Sequence, residues 1–148
     1  MIRAVLDTNV LAAGLAGLES RTSAPGIILA RWLAAAGAAP FELVVSSHIL
    51  HELEQALSKP YFRTRRSRPQ IESAQRFLES VATLVVPNEI VSGVAPHPAD
   101  DLVLAAAVSA GADYLVTGDK RFLAVGSHAG VTIVSPRAFL DLLDGEDS

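Results

Sequence analysis

The chain has 148 residues, half of them hydrophobic and 19% charged, with a net charge of −4 and no cysteine. That length and apolar content predict one domain with a sizeable core, and the absence of cysteine excludes a disulfide framework or cysteine-held zinc. No apolar run approaches the ~18 residues of a membrane-spanning helix. The opening segment also reaches an acid, Asp7, too soon for a signal peptide, so a soluble cytoplasmic protein is expected.

Short apolar runs alternate with helical stretches along the chain, the sequence form of a parallel sheet with crossover helices. Ile2–Leu6 reads as a first strand, unbroken and apolar, hence buried on both faces. Residues 26–36 read as a helix. Residues 43–46 are a second strand, followed at once by a helix over 47–58, which Pro60 ends because the residue before proline disfavours helix. A basic stretch follows, then a helix over 69–81 with Pro69 in its first turn. Residues 83–86 are a third strand, closed by Pro87. Residues 101–110 are helical, with Gly111 as the stop. Residues 114–117 and Val131–Val134 are the fourth and fifth strands, and residues 136–143 the closing helix. The expected architecture is therefore α/β, with about five parallel strands and helices on both faces. A single domain spans 1–143 and a short acidic tail spans 144–148.

Charge is unevenly spread. Of the 16 acids, four (Asp141, Asp144, Glu146 and Asp147) lie at the C-terminus, and without them acids and bases balance at 12 each. Five bases, Lys59, Arg63, Arg65, Arg66 and Arg68, fall within ten residues. A basic edge able to contact phosphates is thus allowed on an otherwise neutral body. The reading equally consistent with that stretch is a solvated loop.

In an open parallel sheet, ligands bind beyond the carboxyl ends of the strands. Asp7 follows the first strand in Asp7-Thr8-Asn9, and Asp119 follows the fourth in Thr117-Gly118-Asp119-Lys120. Glu52 lies early in the helix after the second strand. Asp101 opens the helix leading into the fourth, with its neighbour Asp100 expected to cap that helix. Four acids from four segments can therefore converge on one pocket. Converging carboxylates repel one another and need a counter-charge. A divalent magnesium or manganese ion is the economical one, because it prefers hard oxygen ligands and leaves sites open for water and phosphate. Metal-assisted hydrolysis of a phosphodiester is the chemistry implied, with Thr8, Asn9 and Thr117 hydrogen-bonding the acids or a phosphate. The competing role for Asp7 and Asp119 is as ordinary helix caps, and for Glu52 as a solvated helix residue. His48 and His51 read as helix-surface residues, Trp32 as core or dimer contact, and Lys120 as a phosphate contact or a plain surface lysine.

Four segments together resemble the PIN-domain ribonucleases, of the VapC-like type found in bacterial toxin–antitoxin pairs. They are Val5-Leu6-Asp7-Thr8-Asn9-Val10-Leu11, residues 46–57 around Glu52, residues 100–122, and residues 131–140. The resemblance covers about residues 2–143. It implies a three-layer α/β/α sandwich and a magnesium- or manganese-dependent endoribonuclease with one or two ions. It places the four family acids on Asp7, Glu52, Asp101 and Asp119, with the third falling on one of the Asp100-Asp101 doublet. It further implies a homodimer and a small antitoxin that blocks the site.

Two other classes share parts of this pattern. A haloacid-dehalogenase-like phosphatase needs a second Asp two residues after its nucleophile, where this chain has Asn9, and a receiver domain needs paired acids at the first strand. A non-catalytic RNA- or protein-binding module of the same fold would be expected to have lost one or more of the acids.

Overall fold

Ile2–Leu6 has no polar side chain apart from Arg3, and in the computed structural model it becomes β1, the central strand of the sheet. The structure describes residues 1–36, 40–64 and 68–146. After β1 come α1 (Thr8–Ala16), α2 (Ala24–Ala34), β2 (Phe41–Val45), α3 (Ser47–Leu57), α4 (Pro60–Arg63) and α5 (Arg68–Val81). The second half holds β3 (Thr83–Leu84), α6 (Pro98–Ser109), β4 (Tyr114–Val116), α7 (Lys120–Leu123), β5 (Ser127–His128), β6 (Val131–Val134) and α8 (Pro136–Glu146).

The sheet has six strands in the order β3-β2-β1-β4-β6-β5. The five expected strands are all present and mutually parallel. The third is shorter than expected, two residues in place of four. The sixth strand, β5, adds an antiparallel edge through a hairpin with β6. Its turn residues Ala129 and Gly130 both have positive φ, +49° and +87°, the backbone that a two-residue hairpin requires.

The chain steps from β1 to β2 to β3 in one direction and then jumps back across β1 to β4. Right-handed crossovers therefore put α6 on the face opposite α1 to α5. On the first face α1 packs against α2, α3 and α5, and α2 against α8, while α6 packs on β1, β2 and β4. Val5, Leu6, Leu115 and Val116 are sealed between these layers. Each such aliphatic side chain contributes about 1.5–3 kcal/mol on burial. Trp32 belongs to this core, 1% exposed, with its ring edge-on to Phe77 at 5.7 Å. Among the described residues its indole nitrogen has no hydrogen-bond partner. Helix α8 runs through Glu146 rather than stopping at Leu143, and Asp144 pairs with Arg31 at 2.7 Å, so the first part of the expected acidic tail is ordered helix. Among the described residues, no helix is long and apolar enough to cross a membrane.

Helices α1 and α2 meet closely enough that glycine is required. A Cβ on Gly26 would lie 2.1 Å from the backbone oxygen of Gly17, which has no freedom to retreat. Gly26→Ala is therefore expected to lower stability by about 1–3 kcal/mol through overpacking. An unchanged urea midpoint would show that the helices can separate without cost.

Candidate functional site

The parallel strands β1, β2 and β4 end on one edge of the sheet, and each is followed directly by a polar residue that starts the next segment. At the end of β1 the backbone N–H of Asp7 donates to the carbonyl of Val116 at 2.9 Å, tying the ends of β1 and β4 together. This is the point where the strand order reverses, the usual place for a ligand crevice.

Asp7 is 6% exposed and serves two purposes. It caps α1, its Oδ1 accepting from the Thr8 N–H at 2.8 Å, and its Oδ2 accepts from the Thr117 hydroxyl at 2.9 Å. Thr117 is fully buried, and its hydroxyl oxygen in turn accepts the Asp119 N–H at 3.1 Å. The Thr8 hydroxyl donates to Glu52 Oε1 at 3.0 Å. Two threonines thus each link two acids, Thr8 joining Asp7 to Glu52 and Thr117 joining Asp7 to Asp119. Glu52 also lies 3.1 Å from His48 Nε2, off the line a hydrogen bond needs. Asp119 caps the short α7 through the Arg121 N–H at 2.9 Å. Asp7 both caps α1 and lines the crevice, whereas Asp119 lies beside it, joined to Asp7 through Thr117.

Of the Asp100-Asp101 doublet, Asp100 lines the crevice rather than Asp101, which the sequence favours as the ligand. Asp101 is buried and turned away from the crevice. Its carboxylate accepts three backbone N–H groups, from Gly93 at 2.9 Å, Val94 at 3.2 Å and Ala95 at 2.8 Å. That grip closes the loop leading into α6, with Gly93 in the left-handed region at φ +70°. Asp100, one residue earlier and about 100° round the helix, lines the crevice together with Asp7, Thr8, Asn9, Glu52, Gln55 and Lys59. The cause is the helix start. α6 begins at Pro98 with His97 as its cap position, so Asp100 sits inside the first turn rather than capping it. The signal was available in Pro98, since proline favours the first turn.

The electrostatics tie the same residues together. Burial pushes the Asp7 carboxyl above the ordinary value of 3.8, and the charges of Asp100 and Glu52 push it further, against the lowering pull of the Thr117 and Thr8 hydrogen bonds. Asp100 is raised as well, first by burial and then by Asp119 and Glu52, with His97 acting in the opposite direction. Asp7, Glu52 and Asp100 therefore repel one another in one crevice, and Asp119 bears on Asp100 from beside it. His97 approaches Arg121, with 3.1 Å between Nε2 and the guanidinium, so a loop histidine the sequence reading passed over stands beside the acids.

Among the described residues, no three His, Asp or Glu side chains come close enough together to hold a metal ion as they stand. The reason is visible in their partners, since Asp119 is turned to cap α7 and Glu52 leans on Thr8 and His48. The donor chemistry nevertheless fits a hard divalent ion, which prefers carboxylate oxygens and would offset the burial and the neighbouring charges that raise Asp7 and Asp100.

The basic residues divide. Lys59 lines the crevice. Arg63 is exposed on α4, and Arg65 and Arg66 lie outside the described residues. Arg68 does not face the acids, because it pairs with Glu72 at 2.8 Å and borders a separate depression beside Glu54. Lys120 is exposed at the start of α7.

A family model described as PIN domain matches residues 3–121. The chain belongs to the PIN-domain family. PIN domains are generally a metal-dependent nuclease fold. In three dimensions this PIN domain is similar to the crystal structure of PAE2754 from Pyrobaculum aerophilum, with a TM-score of 0.58 at 19% identity, over 97% of this chain and 90% of the other. At that identity the likeness speaks for the fold alone. No curated protein matches this PIN domain in sequence.

Proposed function

We propose that this PIN domain is a magnesium- or manganese-dependent endoribonuclease with Asp7, Glu52, Asp100 and Asp119 as its acids. The observation that carries the reading is the convergence of Asp7, Glu52 and Asp100 on one crevice at the strand switch point, with Asp119 beside it, where burial first and the neighbouring acids next raise Asp7 and Asp100. Buried like charges are costly unless a cation joins them. Asp7, Glu52, Asp100 and Asp119 would hold one or two ions, which when bound supply a hydroxide-like water and neutralise charge on phosphate. Thr117 and Thr8 keep the two Asp7 oxygens oriented, and Thr8 keeps Glu52 beside them. Asn9 and Lys59 line the same crevice and offer an amide and an ammonium to the phosphate flanking the scissile bond. Asp101 holds the 93–95 loop and takes no part in the chemistry.

For the biological setting we propose the role implied by the sequence resemblance. That role is a cytoplasmic toxin, homodimeric and held inactive by a small antitoxin. A non-catalytic binding module is disfavoured, because it would gain nothing from keeping Asp7, Glu52 and Asp100 in mutual repulsion with Asp119 beside them.

The test of the activity is incubation with single-stranded RNA, duplex RNA and single-stranded DNA, in manganese, magnesium or chelator. Metal-dependent cutting of single-stranded RNA is expected. Cutting of DNA alone would redirect the substrate, and binding of RNA in metal without any cutting would favour the module.

A further inference from the structure

The acid crevice does not end at Lys59. A second depression of about 380 Å3, within the roughly 300–1,000 Å3 range of small-ligand clefts, opens beside it between α1 and α4. The two share Asn9, Ala56 and Lys59 as common walls, so they form one continuous trough. Its far end is bordered by Tyr61 and Phe62, whose rings meet edge-on at 4.9 Å. Tyr61 is 66% exposed. Its floor on the α1 side is formed by Ala12 and Ala13, small enough to admit a flat ring.

Polarity changes along the trough in the order a nucleotide does. Carboxylates come first, then the ammonium of Lys59 and the amide of Asn9, then an apolar slot with an aromatic edge. Single-stranded RNA is read by stacking unpaired bases on aromatic rings, with cationic side chains following the phosphates. We infer that Tyr61 and its slot are a base-binding subsite for one unpaired nucleotide next to the scissile phosphate, with Lys59 holding the phosphate between slot and acids. The inference rests on the ribonuclease reading, and it adds to it a residue that positions the strand. An exposed tyrosine two residues from that lysine, at the far end of the trough, offers an aromatic face to the base next to a phosphate held by Lys59.

The test uses the full chain carrying Asp7→Asn, so that RNA is bound and not cut, and measures fluorescence anisotropy of a labelled single-stranded RNA in magnesium. Tyr61→Ala on that background is expected to weaken binding about tenfold, with Tyr61→Phe close to the parent. An RNA with one abasic position is expected to lose the same factor against unaltered Tyr61, and little more against Tyr61→Ala, which separates stacking from any loss of folding. Lys59→Gln is expected to weaken binding and flatten its salt dependence by about one counterion. Tyr61→Ala binding as tightly as its parent would overturn the subsite while leaving the ribonuclease reading intact. RNA binding absent even in the parent, together with no cleavage by the unaltered protein, would remove both.

Discussion

Asp100→Asn is expected to abolish cleavage and leave the fold intact, whereas Asp101→Asn is expected to weaken the fold and leave the chemistry of each folded molecule unchanged. The two residues are neighbours in sequence, yet their carboxylates face different surroundings. Asp100 lies in the crevice with Asp7 and Glu52, where burial and the neighbouring acids already penalise its charge. Removing that charge relieves repulsion, so the melting temperature should stay level or rise slightly. Cleavage should drop by at least about a hundredfold, the scale of losing one preorganised charged group at a reaction centre. Asp101 instead accepts three backbone N–H groups from residues 93–95. An asparagine there turns an NH2 toward one or more of those donors. Hydrogen bonds to a charged acceptor contribute about 1.5–3 kcal/mol each and do not add fully, so a loss of roughly 2–4 kcal/mol follows. In a domain of this size that lowers the melting temperature by roughly 10 °C. Thermal melting and single-turnover cleavage of both variants check the pair. The reverse pattern would make Asp101 the crevice acid.

Asp7→Asn is expected to raise thermal stability in chelator and to abolish the further rise that manganese gives the unaltered protein. The sign follows from linkage. The Asp7 carboxyl lies above its ordinary value of 3.8 in the folded chain because of burial first and Asp100 and Glu52 next. The native state therefore binds more protons than the unfolded chain between the ordinary and the raised value. Stability is unpenalised at acid pH, falls as pH rises through that window, and carries the full penalty above it. Asparagine removes the penalty and can still accept the Thr8 N–H. At neutral pH without metal the variant should melt a few degrees higher. A bound cation reverses the balance for the unaltered protein, since a ligand that binds only the native state stabilises it with rising concentration. The melting temperature of the unaltered protein should rise through millimolar manganese and that of Asp7→Asn should stay flat. Equal manganese shifts in both would show that Asp7 does not hold the ion.

Much of the sheet was legible because its strands are buried on both faces. Ile2–Leu6 and Val131–Val134 are continuous apolar runs, and their reading needed no partner. Helix α1 was not read. Thr8–Ala16 is packed against α2, α3 and α5, so it shows no polar face and no 3.6-residue period. The β5–β6 hairpin escaped for a different reason. Its turn places Ala129 at φ +49°, where asparagine or glycine would have signalled it. At the crevice, the positions of Asp7 and Glu52 were legible from a place after a strand and early in a helix, and that of Asp119 from its place after β4, beside the crevice. The Asp100–Asp101 choice turned on where α6 begins, and a one-residue shift swings a side chain about 100°. His97 stands beside Asp100 because it caps the same helix, and Lys59 lies just past the end of α3, which carries Glu52. Both follow from local spacing once the helix ends are known.

The central claim is that the carboxylate crevice cuts RNA with the help of a divalent ion. Its most direct test is the single-turnover cleavage of a labelled single-stranded RNA by the unaltered protein and by Asp7→Asn, each in manganese and in excess chelator. Cleavage by the unaltered protein is expected in manganese only, with a rate at least about a hundredfold lower in the variant. Cleavage at equal rates by both proteins, or cleavage that persists in chelator, would contradict it.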